Sequence, residues 1–382
     1  MSSHVRKVPS KVKVFVQPDD GIKPVVEALK SAKYSIHILI FRFDRKEIEE
    51  ALVEAAGRGV MVHALIAYTN TGGDKNLRKF EMRLLEKGIT VARTADDLVR
   101  YHGKMFIIDE KELYLLAFNF THMDIDLSRS FGLRITEKKI VEEAMRLFEA
   151  DTKRTTFESR ENDLVVSPSN AREALSAFIT GAKKQLLMYE MKVSDREFIR
   201  LLKERAADGV DVRILGRSGV KGAKIPARSL PIRLHARAIF RDGKEAFLGS
   251  QSLRKLELEA RREIGVIVHD TVATKKMIEV FETDWKRSEP IIETDDVQDA
   301  LSVPAKKVAK KVAKEIAVKP IVEQVLSKML DSKQEENIDA GDVAESVREA
   351  LKEEIHEAVV DALKQAAVEE NGDKGKKSDS KK

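Results

Sequence analysis

The chain has 382 residues, 42% of them hydrophobic and 35% charged, enough for two core-forming units plus an appendage. Cysteine is absent, which excludes disulfides, thiolate nucleophiles and thiolate metal sites together. The formal charge of +5 divides unevenly: residues 1–290 hold 53 basic and 43 acidic side chains against 16 and 21 beyond, so any anion preference belongs to the body.

The opening MSSHVRKVPSKVKV has basic residues but no apolar run, so no secretory signal is expected. The longest apolar stretch, Ile36–Phe41, is too short to span a bilayer, and a cytoplasmic protein is the reading. In chain order the pattern predicts a strand at Lys13–Val16, a helix at Lys23–Ser31 and a buried strand at Tyr34–Ile40. A helix at Lys46–Gly57 and a strand at Val60–Ile66 follow. The same order returns 150 residues later: Leu164–Val166, Ala171–Gly181, Gln185–Tyr189, Arg196–Ala207 and Val210–Leu215. LVEAAGRGVMV (52–62) and LKERAADGVDV (202–212) carry the likeness, with Gly59 and Gly209 just past a helix end.

The first copy then adds an amphipathic segment, Lys75–Lys87, where the second has a loop, Gly216–Ser229, with Arg217, Lys221, Lys224 and Arg228. Each copy closes with a strand, Ser128–Ile135 or Arg261–Val268, before a helix ending near Phe157 or Trp285. Strands alternating with helices predict an α/β fold in which two similar α/β/α sandwich repeats, 11–158 and 159–290, pack with pseudo-twofold symmetry. Beyond Pro290, Lys306, Lys307, Lys310, Lys311 and Lys314 punctuate one helix, and Val343 through Leu363 mark another. Residues 291–370 are thus expected to be a helical appendage, self-associating through 304–365 or meeting an anionic partner, and 371–382 to be disordered.

A second spacing pattern occurs at an offset of 133. His102, Lys104 and Asp109 repeat as His235, Arg237 and Asp242, each set reading His-x-cation-x4-Asp. Seven residues after each Asp comes a four-residue element, Leu116-Ala117-Phe118-Asn119 or Gly249-Ser250-Gln251-Ser252. Two histidines on repeated strand-turn-strand units are suited to attack a phosphodiester from one side and protonate its leaving group from the other. The remaining histidines, His4, His37, His63, His122, His269 and His356, lack metal-ligand spacing and read as surface or satisfied core residues. Trp285 reads as packing, and Gly72–Lys75 as the start of a helix without the Walker spacing.

The duplicated pattern resembles the phospholipase D superfamily over roughly residues 11–287. The resemblance implies a two-step, metal-independent route through a phosphohistidine, with no cofactor. By it, His102 matches the nucleophile and His235 the general acid/base; Lys104, Arg237 and Asn119 match phosphate-binding positions; Asp109 and Asp242 match architectural acids. If a carboxylate orients the nucleophile, the two histidine roles are exchanged. Ser250 and Ser252 complete the second copy, where Arg237 stands for the usual Lys. Glu263 occupies the position of an acid that orients a histidine, while Ser130 stands there in the first copy. This predicts that His102 lacks a carboxylate partner and is loosely held.

The implied function is hydrolysis or transfer at phospholipid head groups, with reversible contact at an anionic membrane. A metal-independent endonuclease of the same fold is the first alternative. The second is a catalytically decayed scaffold binding nucleic acid or another anion, which Leu116-Ala117 and Ser130 favour.

Overall fold

The structure, a computed structural model, describes residues 10–68, 74–218 and 225–291. The expected helical appendage, disordered end and self-associating segment, and Lys221, Lys224, His4 and His356, lie outside the described residues. The first copy runs β1 (Val12–Gln17), α1 (Lys23–Ser31), β2 (Ser35–Ile40), α2 (Lys46–Gly57), β3 (Met61–Ile66), α3 (Asp74–Glu86), β4 (Thr90–Arg93), β5 (Arg100–Tyr101), β6 (Met105–Ile108), β7 (Glu112–Leu116), α4 (His122–Asp126), β8 (Ser128–Ile135) and α5 (Lys138–Lys153). The second runs β9 (Leu164–Val166), α6 (Ala171–Thr180), β10 (Gln185–Val193), α7 (Arg196–Ala207), β11 (Asp211–Ser218), β12 (Ala227–Ser229), β13 (Arg233–Leu234), β14 (Ala238–Arg241), β15 (Glu245–Gly249), α8 (Lys255–Glu259), β16 (Arg261–Arg262), β17 (Ile264–Val268), α9 (Thr271–Arg287) and β18 (Glu289–Pro290).

Each copy builds a mixed sheet. In the first the order is β1-β8-β7-β6-β2-β3-β4, and in the second β18-β12-β11-β10-β14-β15-β17-β9. Helices α1, α2 and α3 cover one face of the first sheet through Leu29, Leu52 and Phe80; α6 and α7 cover the second through Leu175 and Phe198. The opposite faces meet in one shared core with α5 and α9, where Phe131, Tyr189, Phe240 and Phe281 pack ring against ring. Two α/β/α layers are therefore fused through a common centre.

Several expectations shift. The helix expected to reach Phe157 ends at Lys153, because Arg154 turns left-handed at φ 56° and caps Ala150. The stretch 261–268 is two strands, since Glu263 leaves one partner strand for another. The expected loop 216–229 is strand at both ends, in β11 and β12. Gly59 and Gly209 do take φ 85° and 86° past their helices. His37 is a buried residue whose ring nitrogens both lack a hydrogen-bond partner, not a satisfied one; it packs edge-on to Phe148 beside His63.

Two short parallel pairings bind the copies together. Arg100 and Tyr101 pair with Arg261 and Arg262; Arg233 and Leu234 pair with Ser128 and Arg129. All eight residues obey the 133 offset. Behind them lie two crossed, buried ion pairs. Arg129 grips Asp284 of α9 through Nε at 2.7 Å and Nη2 at 3.2 Å, and donates to the carbonyl of Gln17. Arg262 grips Asp151 of α5 at 3.1 Å and donates to the carbonyl of Ser167. Each copy's arginine is thus held by the last helix of the other.

Arg129→Leu strands Asp284 in the core with Tyr189 alone, among the described residues, donating a side-chain hydrogen bond to it. The expected cost is about 3–5 kcal/mol in urea unfolding, whereas Asp19→Asn, at the exposed partner, changes stability by less than about 1 kcal/mol.

Candidate active site

The His-x-cation motifs follow directly on the crossed strands. The amide of His102 donates to the carbonyl of Arg262 at 2.8 Å, and that of His235 to the carbonyl of Arg129 at 3.0 Å. Lys104 or Arg237 follows two residues later, immediately before the chain enters β6 or β14. Between His102 and Lys104 the backbone packs closely on the other copy: a Cβ on Gly103 would lie 2.4 Å from Ile264 Cδ1, which would have to shift, whereas the second copy carries Ala236 at this position. The motif acids work on the backbone. Asp109 and Asp242, at φ 52° and 53°, each accept three consecutive amides, from Lys33, Tyr34 and Ser35 or from Lys183, Lys184 and Gln185. They thereby fix the hairpins whose far ends carry the histidines.

Glu263 does not serve the histidine of its own copy. Its Oε2 lies 2.8 Å from Nδ1 of His102, so the histidine predicted to lack a carboxylate has a buried one. The reason is the parallel pairing of β5 with β16, which puts residues 102 and 263 side by side across the interface. Lys104 Nζ lies 2.8 Å from Nε2 and 3.0 Å from Nδ1 of the same ring. The edge of the His102 ring meets Phe41, with centroids 4.6 Å apart.

At the other histidine Ser130 stands where Glu263 would, and its hydroxyl donates to the carbonyl of His235 at 3.1 Å. The ring faces Asp124 instead, with Nδ1 3.5 Å from Oδ2. Asp124 is buried and heavily engaged, accepting Asn119 N at 2.8 Å, Asn119 Nδ2 at 2.6 Å and Arg233 Nη1 at 2.6 Å. Sequence reading missed Asp124 and its counterpart Glu257, although both sit five residues after the four-residue element, and Glu257 accepts the amide of Ser252. An acid at the same offset in both copies was the available signal.

The other expected residues are placed as follows. Arg237 Nε donates to Ser252 Oγ at 3.1 Å, while its Nη1 is buried without a hydrogen-bond partner among the described residues. Asn119 Oδ1 is likewise buried and unpaired. Ser250 Oγ accepts the amide of Ile264 at 3.0 Å, a backbone task at the β15–β17 edge. Leu116 and Ala117 are fully buried, with Leu116 opposite Gly132 in the β7–β8 ladder.

Burial and the neighbouring charges of Lys104 and Arg237 hold His102 well below the usual imidazole range. Burial does the same for His235 against the opposing pull of Asp124. Burial, reinforced by Glu257, pushes Glu263 up to about 7. Below that pH a protonated Glu263 donates to Nδ1 and the ring proton sits on Nε2; above it, Nδ1–H donates to the carboxylate and Nε2 presents a lone pair. Arg237, with its buried Nη1 unpartnered among the described residues, and Lys104 are both donors of the kind that bind phosphoryl oxygens. No cluster with metal-ligand geometry exists among the described residues.

The family described as "cardiolipin synthase, PLD-like domain" matches residues 25–152 and 175–285. Cardiolipin synthase 1 of Bacillus anthracis is 23% identical over 343 residues, covering 73% of this chain and 67% of that protein. A cardiolipin synthase of Geobacillus sp. is 24% identical over 341 residues, with 74% and 67% covered. The chain thus spans about two thirds of the length of these relatives. Among solved structures, the phosphatidylserine synthase of Haemophilus influenzae superposes with a TM-score of 0.60 at 10% identity, over 84% of this chain and 95% of that one. A polyphosphate kinase from Porphyromonas gingivalis gives 0.62 at 19% identity, over 82% of this chain and 58% of that one.

Nitrogen-15 NMR of labelled histidine is expected to find His102 neutral at pH 6, its proton moving from Nε2 to Nδ1 as pH rises through about 7. A His102 imidazolium at pH 6 contradicts this electrostatic account.

Proposed function

The chain belongs to the phospholipase D superfamily, and from that premise we propose that it hydrolyses or transfers phospholipid head groups through a phosphohistidine on His102. The observation that carries the reading is one imidazole held by groups from both copies, with Glu263 Oε2 2.8 Å from Nδ1 of His102 and Lys104 Nζ 2.8 Å from Nε2 and 3.0 Å from Nδ1 of the same ring. With Glu263 ionised, the Nε2 lone pair attacks phosphorus as the head-group P–O bond breaks. His235 gives its proton to the departing alkoxide, completing an alcohol. In the second step water or an acceptor alcohol passes its proton to His235, its oxygen bonds to phosphorus, and the P–N bond breaks. Lys104 and Arg237 hold the anionic oxygens throughout. The negative charge of the arriving phosphodiester offsets these two cations, which raises His235 toward the protonated form that the first step needs.

Asp124 is the positioning residue for His235 in this scheme. Shared with Arg233 and Asn119, it is a weaker partner than Glu263, and it gains the most when the ring becomes cationic. The split assigns the dedicated carboxylate to the nucleophile and the shared one to the acid. A single set of functional groups distributed over both copies supports an enzyme over a decayed scaffold.

A lipid is favoured over nucleic acid by the rim on the His235 side. Leu127 and Ile232 directly precede the paired Ser128 and Arg233, and they are 59% and 37% exposed. Exposed apolar side chains next to a phosphate-binding site fit a lipid better than a polyanion. No helix among the described residues is long and apolar enough to cross a membrane; reversible docking of the basic body at an anionic surface is the proposed mode of access.

In chelator, with labelled phospholipid vesicles, His102→Ala and His235→Ala are each expected to lower turnover by about 10³-fold or more. Unchanged turnover in both removes the enzyme reading, and cleavage of plasmid DNA with none of vesicles replaces the lipid with nucleic acid. Asp124→Asn is expected to cost about 10–100-fold in kcat with little change in KM, shifting the acid limb of the pH profile. Adding Ser130→Glu, which puts an acid at the position equivalent to Glu263, is expected to recover part of that loss; no recovery and no pH shift make Asp124 merely structural.

A further inference from the structure

Each phosphate-binding cation has a cross-strand neighbour, and the two copies differ there. The β2–β6 ladder pairs Leu39 with Met105, and its register continued by one step sets Ile40 opposite Lys104. The β10–β14 ladder pairs Tyr189 with Ala238, and the same step sets Glu190 opposite Arg237. Residues opposite each other on adjacent strands share a face, with Cβ atoms roughly 4.5–5.5 Å apart. Ile40 belongs to the apolar core under α1 and α2, whereas Glu190 is a buried acid.

The Glu190 carboxylate is fixed in place. Its Oε1 accepts the amide of Lys192 at 3.2 Å across a register shift in β10, and its Oε2 accepts the amide of Leu253 at 3.1 Å. Leu253 follows Ser252, whose hydroxyl holds Arg237 Nε. A neutral carbonyl oxygen can also take two amides, so these bonds leave the charge itself unexplained. Burial pushes Glu190 up to about 7, while Arg254 and Arg237 pull it back. Above that pH a fixed negative charge stands across the strand from the guanidinium that is to receive a phosphoryl oxygen. Glu257 adds another carboxylate near Arg237, but Asp124 does the same for Lys104. Glu190 is the acid whose counterpart is apolar.

We propose that Glu190 is a specificity-determining residue, selecting singly charged phosphodiesters over doubly charged phosphomonoesters. The inference rests on the proposed function for placing the phosphoryl group at Lys104 and Arg237. A diester brings one negative charge to the Arg237 guanidinium. A monoester brings a second, which the carboxylate across the strand repels. Hydrolysis of a phospholipid converts the first kind of ligand into the second, so the same repulsion speeds departure of the product.

The test is calorimetric titration of the full chain, at alkaline pH and fixed ionic strength, with benzenesulfonate and with phenylphosphonate. Both are tetrahedral anions on the same ring with no ester bond to cleave, and they carry one and two negative charges there. Glu190→Gln is expected to tighten benzenesulfonate about fivefold and phenylphosphonate about twenty-fivefold, because the Coulomb energy doubles with the ligand's charge. Glu190→Ile carries the residue that the first copy has at this position, and as the second variant it should match Glu190→Gln. Glu190→Asp keeps the charge and should keep the native preference between the two anions. An equal gain for both anions, no gain in either neutral variant, or the same change in Glu190→Asp overturns the inference and leaves the proposed function standing. Binding of both anions untouched by Lys104→Ala and by Arg237→Gln counts against the proposed function, and the role of Glu190 falls with it.

Discussion

The site depends on two crossed backbone hydrogen bonds, from His102 to the carbonyl of Arg262 and from His235 to the carbonyl of Arg129. Neither histidine is positioned by its own copy alone. Each emerges from a strand two residues long, far too short to be stable by itself, and is held only because the other copy supplies the partner strand. The buried Arg129–Asp284 and Arg262–Asp151 pairs then pin those partner strands to helices across the centre. Buried ion pairs of this kind give little net stability but tolerate only one arrangement, and here that arrangement holds the strands that anchor His102 and His235.

The electrostatics follow from the same burial. The nucleophile role proposed for His102 needs a neutral imidazole, and burial with the charges of Lys104 and Arg237 disfavours its protonation. The same cations work against a protonated His235, so in the proposed mechanism the acid depends on an incoming negative charge and on Asp124. Proton inventory and substrate binding are thereby linked through Coulomb forces, with no moving part required. Arg237, in place of a lysine, suits this economy of space: Nε is spent on Ser252, and the buried Nη1 remains for a phosphoryl oxygen.

Much of this was legible in the sequence, and for identifiable reasons. The 150 and 133 offsets exposed the repeat because duplicated strands keep their hydrophobic period, and α1, α2 and α7 fell on the predicted residues. Asp109 and Asp242 stood out because they repeat at the same distance from each histidine, and the structure then puts each at a positive φ beside three amides. What failed were facts about sides and crossings. Sequence spacing gave Glu263 to its own copy, whereas parallel pairing across the interface gives it to His102. Asp124 could be flagged by its offset to Glu257, but its role could not be read, because it comes from Arg233 and His235, more than a hundred residues away. The unsatisfied His37 was equally hidden, since burial without partners leaves no mark on spacing.

The crossed strands also bear on how the chain comes apart. The seam between the copies, after Arg154 and before Leu164, runs partly through exposed residues such as Glu158, Arg160 and Asn162. A protease nick there severs one covalent link but none of the exchanged strand pairs, the crossed arginine clamps or the shared aromatic centre. The two fragments therefore remain locked as a heterodimer with its catalytic groups in register, and separately expressed halves have every reason to find each other. Covalent continuity is dispensable for this architecture in a way that mutual embrace is not.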